Sequence, residues 1–166
     1  MKKYIILLMV CCLLFVGCES ANNNSYLRIH IRANSNSEID QNIKYLIKDV
    51  VVEYLSPLLN DCESKNDVIS VINDNLHSTK DLIDCVLKDN GFAYKCSIEI
   101  NNEFFPTRTY DELTLEADYY DALIIKLGDG VGDNWWCVMY PNLCFNDIQN
   151  VVYKSKIMEI IEKIKG

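Results

Sequence analysis

Two residues of this 166-residue sequence could act as a nucleophile and its base, namely Cys137 and His30. An imidazole that takes the proton of a thiol produces a thiolate, which can attack a carbonyl carbon. No local motif specifies such a pair here, and a lone cysteine and histidine give weak support for catalysis. His30 also stands between Arg28 and Arg32, whose charges oppose its protonation. We therefore expect a structural or recognition role for His30 and no enzyme activity, with a secreted thiol hydrolase that uses Cys137 and His30 as the alternative.

A glycine-rich segment at residues 128–134, Gly-Asp-Gly-Val-Gly-Asp-Asn, is the second candidate site. A phosphate-binding loop would be followed by a helix, whereas the next residues have a strand-like pattern. Asp129 and Asp133 could bind calcium, but Val131 stands where a third oxygen ligand is needed. The segment therefore predicts a tight hairpin with glycines at positive φ, and we expect no metal ion and no cofactor.

Trp135 and Trp136 follow this segment directly. Side chains alternate along a strand, so the two indole rings must face opposite sides of a sheet. We expect one ring to be buried and the other to be exposed or covered by a helix. An exposed tryptophan is typical of protein interfaces.

Hydrophobic periodicity predicts the elements in the first half of the domain. Residues 26–33 alternate between apolar and polar side chains, which predicts a half-buried strand. Ser35 or Ser37 is positioned to cap a helix whose apolar stripe begins at Ile39 and ends near Leu59. A second helix is predicted after Ser64, with Asn90-Gly91 as its end.

The second half of the domain has strand patterns. They cover residues 93–100, a return strand after a turn at Asn101-Asn102, residues 119–127 and residues 135–140. Pro106 in the return strand indicates an edge position. Residues 147–165 predict a third helix. The order β-α-α-β-β-β-β-α predicts an α+β fold, with two to three helices on one face of a mostly antiparallel sheet of about four to five strands.

Residues 1–17 have the composition of an export signal. Lys2 and Lys3 precede an uncharged run at residues 4–16, and Gly17 precedes Cys18. The run is too short to cross the hydrocarbon core as a helix. Residues 14–18 also resemble a bacterial lipobox, which predicts a lipoprotein-type leader with cleavage before Cys18 and lipidation of Cys18. Residues 18–25 then form a polar tether, and residues 26–166 form a single domain.

Export permits disulfides in the mature domain. Cys137 and Cys144 flank a predicted turn at Pro141, and we expect them to be bonded to each other. The pairing of Cys62, Cys85 and Cys96 stays open. The chain carries a net charge of −8, which argues against nucleic acid as a partner because no surplus of basic residues is present.

Three segments, in order along the chain, together resemble the stage II sporulation protein R family. They are residues 28–41, residues 105–110 and residues 120–145. The last is the most specific, because it contains Asn-Trp-Trp-Cys-Val at residues 134–138 and Pro-Asn-Leu-Cys-Phe at residues 141–145.

The resemblance implies an exported sporulation signal. Proteins of this family are made in the forespore of endospore-forming bacteria and enter the space between its membrane and that of the mother cell. There they activate a membrane-embedded aspartic protease of the mother cell, which processes pro-sigma-E. The implied partner is this protease, with a membrane contact through the lipid anchor of Cys18 and without a small-molecule substrate or nucleic acid. A further alternative is a lipoprotein that binds a small molecule. The candidate contact residues are Arg28, His30, Arg32, Asn34, Trp135 and Trp136.

Overall fold

The computed structural model of the protein describes residues 25–144. This part of the chain contains six strands and two helices. They are, in chain order, β1 Leu27–Arg32, α1 Glu38–Leu59, α2 Lys65–Asp89, β2 Cys96–Phe105, β3 Arg108–Tyr110, β4 Leu113–Leu115, β5 Asp118–Leu127 and β6 Asn134–Tyr140. The predicted leader, Cys18, most of the polar tether and the third helix lie outside the described residues.

Four strands form one sheet in the order β2-β5-β1-β6, and β3 and β4 form a separate pair. β1 runs parallel to β5, with Leu27 opposite Asp121, and antiparallel to β6. β5 pairs with β2 in antiparallel orientation. The α+β prediction is confirmed, and the parallel pair at the centre makes the sheet a mixed one.

The predicted hairpin at residues 128–134 is wrong. β5 and β6 are not neighbours, because β1 lies between them. The glycine-rich segment is instead a connector that passes over the end of β1. Its glycines do adopt the expected backbone, since φ is +56° at Gly128 and +63° at Gly130.

Both helices begin and end where local capping predicts. The Ser37 side chain accepts a hydrogen bond from the backbone N–H of Asp40, and the Ser64 side chain accepts one from that of Asp67. Each such cap contributes about 1 kcal/mol. α2 ends at Asp89, and Gly91 continues the chain with φ +84°.

The helices cover one face of the four-stranded sheet. Their apolar stripes bury the side chains of β1 and β5 that point toward them, including Ile29 and Ile125 at 0% exposure. Ile39 is an exception to the predicted stripe, since it is 69% exposed in the first turn of α1. Lys44 is the reverse case, because its charged side chain is buried.

The β3–β4 hairpin covers the opposite face. Leu115 of β4 packs there with Phe105, Tyr120 and Val138 in a second, smaller core. As a result β1 is buried on both faces, and the expectation of a half-buried strand is wrong. Its polar side chains Arg28 and His30 are enclosed along with its apolar ones.

β2 is longer than predicted. Asn101 and Asn102 do not form a turn, because both pair with β5 inside a continuous strand. Within the described order β2 is an edge strand, and Pro106 directly follows it, as the sequence indicates. Within residues 25–144, neither helix has the length of apolar sequence needed to cross a bilayer.

Candidate functional site

The first candidate site is the place where the end of β1, the start of α1 and the glycine-rich connector meet. Asn34 lies at its centre. Its side-chain oxygen accepts a hydrogen bond from the backbone N–H of Asp129 at 3.0 Å, and its amide nitrogen donates to Asp40 at 3.0 Å. Asn36 continues this connection, because its side-chain oxygen accepts from the backbone N–H of Asp133 at 2.6 Å. We call this cluster, Asn34 to Asn36 with Asp40 and residues 128–133, the connector latch.

Asp40 is the buried acid of the connector latch. Its carboxylate accepts hydrogen bonds from Ser35 at 2.5 Å and from the Tyr94 hydroxyl at 2.6 Å, in addition to Asn34. Burial alone would raise the pKa of Asp40, but these hydrogen bonds outweigh it and hold the pKa below its ordinary value. Asp40 is therefore ionised and fully engaged, which is the state of a structural carboxylate.

Two glycines allow the backbones of the connector latch to approach closely. A Cβ atom on Gly132 would lie 2.2 Å from the carbonyl oxygen of Ser35, and one on Gly128 would lie 2.2 Å from the Asn34 side-chain oxygen. The backbone N–H of Gly132 instead donates to the carbonyl of Ala33 at 2.9 Å. The connector therefore uses its glycines to pack against β1, and the segment has no phosphate-cradle geometry.

Lys44 closes the connector latch from the α1 side. Its ammonium group donates to the Gln41 side chain at 2.6 Å and to the backbone carbonyl of Asp133 at 3.0 Å. Burial lowers the pKa of Lys44, and the nearby Asp133 partly offsets this effect. Among residues 25–144 no group of three or more histidine, cysteine, aspartate or glutamate side chains is arranged to hold a metal ion.

The second candidate site lies under the β3–β4 hairpin and is built around Arg28. The Arg28 guanidinium is 0% exposed and donates one hydrogen bond, at 2.6 Å, to the hydroxyl of Tyr110. Its central carbon lies 4.2 Å from the ring centre of Phe105 and 4.9 Å from that of Tyr120. Burial lowers the pKa of Arg28, although the group remains charged. We call Arg28, His30, Arg32 and Glu103, with the aromatic rings around them, the arginine layer.

Glu103 connects the other two β1 side chains of the arginine layer. Its carboxylate contacts Nδ1 of His30 at 2.8 Å and forms an ion pair with Arg32. Glu103 lies on β2, so its side chain reaches across β5 to touch β1. The sequence did not single out Glu103, because its partners are more than 70 residues away.

His30 is neutral in the arginine layer. Burial, followed by the charges of Arg32 and Arg28, lowers its pKa to about 4. A hydrogen bond with the side chain of Asn134 partly opposes this shift. With the proton on Nδ1, the ring donates to Glu103, and its Nε2 accepts from Arg32 at 3.4 Å.

The two tryptophans alternate as predicted. Trp135 packs against the core beneath the helices, whereas Trp136 packs into the core beneath the hairpin. Neither is fully buried or fully exposed. The Trp136 ring lies between Arg108, at 4.2 Å from its centre, and the ring of His30, at 5.3 Å.

Of the six candidate contact residues, Arg28, His30, Arg32 and Trp136 belong to the arginine layer and Asn34 to the connector latch. Trp135 lies on the other face of the sheet. Arg28 and His30 are buried, while Arg32, Asn34 and both tryptophans are partly exposed. Their contact with a partner stays a prediction.

The thiol and imidazole of the alternative enzyme are not brought together. Cys137 is joined to Cys144 by a disulfide, with their Cα atoms 6.4 Å apart. Its side chain packs beneath the helices, whereas His30 faces the hairpin. Among the described residues Cys62, Cys85 and Cys96 take no part in the disulfide, and burial raises the pKa of Cys96 to about 12. A thiol in this state is a poor nucleophile at neutral pH.

Two open depressions on the described surface have polar residues in their lining. One of ≈ 460 Å³ lies beside the end of α2, where Asp84, Lys88 and Lys95 share its lining with Phe92. Another of ≈ 290 Å³ lies between α1 and Phe92. Neither is the enclosed apolar pocket that a small-molecule-binding protein would need.

Comparison with known proteins matches the residues that build both sites. The family model of stage II sporulation protein R covers residues 23–150. This chain belongs to the stage II sporulation protein R family. It is 35% identical over 124 residues to the stage II sporulation protein R of Bacillus subtilis (strain 168). That alignment covers 75% of this chain and 55% of the relative, so the chain spans about half the length of the curated protein it matches. No solved structure matches the chain.

The three segments that resemble the stage II sporulation protein R family form two structural units. Residues 28–41 and 128–133 meet in the connector latch. Residues 105–110 lie over the β1 side chains of the arginine layer. Segments far apart in this chain's sequence are therefore spatial neighbours.

Proposed function

We propose that this chain is an exported sporulation signalling protein, which passes from the forespore to the mother cell and activates a membrane-embedded aspartic protease that processes pro-sigma-E. The observation that carries the proposal is membership of the stage II sporulation protein R family over residues 23–150. The chain acts as a ligand and not as a catalyst, in the intermembrane space, either free or held by a lipid on Cys18.

The structural roles of the residues in the three family segments support the proposal that this chain acts as a ligand. In the connector latch, Asn34 and Asp40 form hydrogen bonds within the domain, so these polar groups position the connector and do not face a substrate. The disulfide at Cys137 removes the thiol that a hydrolase would need. What these segments offer a partner is shape, charge and aromatic surface.

Activation by a ligand requires differential binding. A ligand can shift a protease toward its active state only if it binds that state more tightly. A domain that bridges two protease subunits outside the membrane would achieve this, because binding to the assembled form stabilises it. Arg32, Asn34 and Trp136 are the partly exposed residues that we assign to this contact, with Arg28 and His30 directly beneath the surface.

Co-expression tests the proposal. This protein, the protease and a tagged pro-sigma-E are produced together in a host without sporulation genes, and cleavage of the tag-bearing precursor is followed. We expect cleavage only when all three are present and the protein is exported. A protease whose catalytic aspartate is replaced provides the matched control and should give none.

Two results would contradict this function. The first is the absence of cleavage with all three proteins present and the exported domain folded. The second is cleavage of pro-sigma-E by the purified domain without the protease. The double variant Cys137→Ser, Cys144→Ser separates the thiol hydrolase, because a ligand keeps part of its activity whereas a nucleophile loses all of it.

A further inference from the structure

Arg28 is a buried cation without an anion. In the described part of the chain its Nε and Nη1 have no hydrogen-bond partner, and its one polar contact is the Tyr110 hydroxyl. The neighbouring acid Glu103 is bonded to His30 and Arg32 instead. A buried guanidinium normally pairs with a carboxylate in a two-point contact, because desolvation without such a partner is costly.

Aromatic rings surround the charged group. The Arg28 guanidinium lies over Phe105 and Tyr120 and 5.7 Å from the ring centre of Tyr110. These rings stabilise the positive charge through their faces. They do not accept the hydrogen bonds of Nε and Nη1 in the way a carboxylate does, so these two donors remain available.

The cover over Arg28 is weakly attached. The β3 and β4 strands have three residues each and are hydrogen-bonded to each other, not to the four-stranded sheet. An isolated two-stranded hairpin is marginally stable by itself. Packing of the buried Leu115, the contact between Tyr110 and Arg28 and the contact between Arg108 and Trp136 hold it over the arginine layer.

We propose that Arg28 binds a carboxylate of a protein partner, and that the β3–β4 hairpin moves aside to admit it. The partner carries an aspartate or glutamate next to an apolar side chain, because the uncovered surface around Arg28 consists of the rings of Phe105 and Tyr120. The carboxylate replaces the Tyr110 hydroxyl at Nη2 and accepts from both Nη2 and Nε, which share one edge of the guanidinium. This inference rests on the proposed function in one respect, namely that the partner is the protease.

The variant Arg28→Met separates recognition from folding. Methionine fills a similar volume without a charge, and replacing a buried unpaired ion by an apolar side chain is often neutral or stabilising. We expect an equal or higher Tm together with at least a tenfold loss of pro-sigma-E processing. Lys44→Met is the matched control, because the Lys44 ammonium is buried with its hydrogen bonds made, and its loss should lower Tm.

The results for Arg28→Met either support or overturn the inference. Full processing in this variant would overturn it. A lower Tm together with lost processing would also overturn it, because Arg28 would then be structural only. Arg28→Lys keeps the charge but cannot form the two-point hydrogen bond of a guanidinium. Its level of processing should lie between that of the wild type and that of Arg28→Met.

A second measurement does not depend on the protease. Phenylacetate, a carboxylate on an apolar ring, is added to the purified protein while the ¹⁵N resonance of Arg28 Nε is followed. We expect it to shift, and to shift at lower phenylacetate concentration in Leu115→Ala, which loosens the hairpin. If the resonance moves in neither protein, the inference is wrong. If it moves while wild-type processing is absent, the proposed function fails and the carboxylate site stands.

Discussion

The side-chain oxygen of Asn34 accepts a hydrogen bond from the backbone N–H of Asp129, which lies 95 residues later in the chain. The same asparagine donates to Asp40 at the start of α1. One side chain thus joins the first strand, the first helix and the connector before the last strand. Both ends of this connection belong to segments by which the family is recognised.

Asn34→Ala should destabilise the domain by about 2 to 3 kcal/mol. The substitution removes two hydrogen bonds. The Asp129 N–H then loses its acceptor, and the Asp40 carboxylate loses one of its donors. Urea unfolding of the purified domain measures the change. Asn42→Ala, at an exposed position of α1, is the control and should shift the free energy of unfolding by less than 0.5 kcal/mol or so. Equal effects of the two variants would show that the connector latch contributes nothing.

Gly128→Ala should cost more stability than Gly91→Ala. Both positions have positive φ, so each alanine adds about 1 to 2 kcal/mol of backbone strain. Around Gly91 there is no atom within 4 Å of the added Cβ, whereas at Gly128 it meets the Asn34 side-chain oxygen at 2.2 Å. Thermal unfolding of the two variants isolates the steric cost as the difference between them. A smaller effect at Gly128 would contradict the close packing of connector and β1.

The free energy of unfolding should decrease as the pH falls from about 6.5 toward about 4. The pKa of His30 is lowered from 6.5 to about 4 in the folded protein, chiefly by burial. Below pH 6.5 the unfolded chain binds a proton that the folded chain refuses, so acid favours unfolding. The full shift corresponds to roughly 3 kcal/mol. Urea unfolding between pH 7 and pH 5 measures how steeply the free energy of unfolding changes with pH. This interval lies above the pH range in which most carboxyl groups titrate.

His30→Gln provides the comparison for this pH dependence. Glutamine keeps hydrogen-bonding groups in the arginine layer but does not titrate, so the slope between pH 7 and pH 5 should flatten. An unchanged slope in His30→Gln would place the origin of the effect elsewhere.

Loss of the disulfide should reduce stability without abolishing the fold. Cys137 and Cys144 are seven residues apart, so the closed loop is short, and the chain-entropy model gives about 2 to 3 kcal/mol for the cross-link. The double variant Cys137→Ser, Cys144→Ser should show this decrease in thermal unfolding, while pro-sigma-E processing continues at a reduced level. Cys62→Ser, a partly buried free thiol, should change Tm by much less. Complete loss of processing in a folded double variant would favour the thiol hydrolase.

Trp136→Ala should abolish pro-sigma-E processing while the protein remains folded. Its ring contacts Arg108 and His30 on the hairpin side, where we place the partner contact. Trp135→Ala is the matched control, because this ring packs beneath the helices on the opposite side of the sheet. Processing should persist in that variant at any temperature at which it stays folded. Normal processing in a folded Trp136→Ala variant would show that this surface is not part of the contact with the partner.

Features fixed by neighbouring residues could be predicted from the sequence. The caps of Ser37 and Ser64 depend on backbone groups three residues away, and the start of both helices was predicted correctly. The end of α2 near Asn90 and the alternation of Trp135 and Trp136 are equally local. The disulfide between Cys137 and Cys144 follows from a spacing of seven residues.

Features that depend on distant partners were missed. Lys44 is buried because the carbonyl of Asp133, 89 residues away, accepts its hydrogen bond. The residues of the glycine-rich connector give no sign that β1 separates the strands on either side of it. Asn101 and Asn102 have the composition of a turn, but pairing with β5 holds them in a strand.

The candidate site was predicted in its residues but not in its burial. Arg28 and His30 alternate with apolar residues, which is typical of a strand with one solvent-exposed face. The hairpin at residues 108–115 covers that face, and its strands of three residues each carry too little periodicity to be recognised. Glu103 and Tyr94, which complete the two clusters, are single polar residues without a motif and gave no signal.

The position of β1 makes the sheet depend on nearly the whole described chain. β1 comes first in the sequence, yet its neighbours on both sides are β5 and β6, which come last. Any fragment that ends before β5 therefore leaves β1 with neither of its hydrogen-bonded neighbours, and β1 gains its second neighbour only with the residues up to Tyr140.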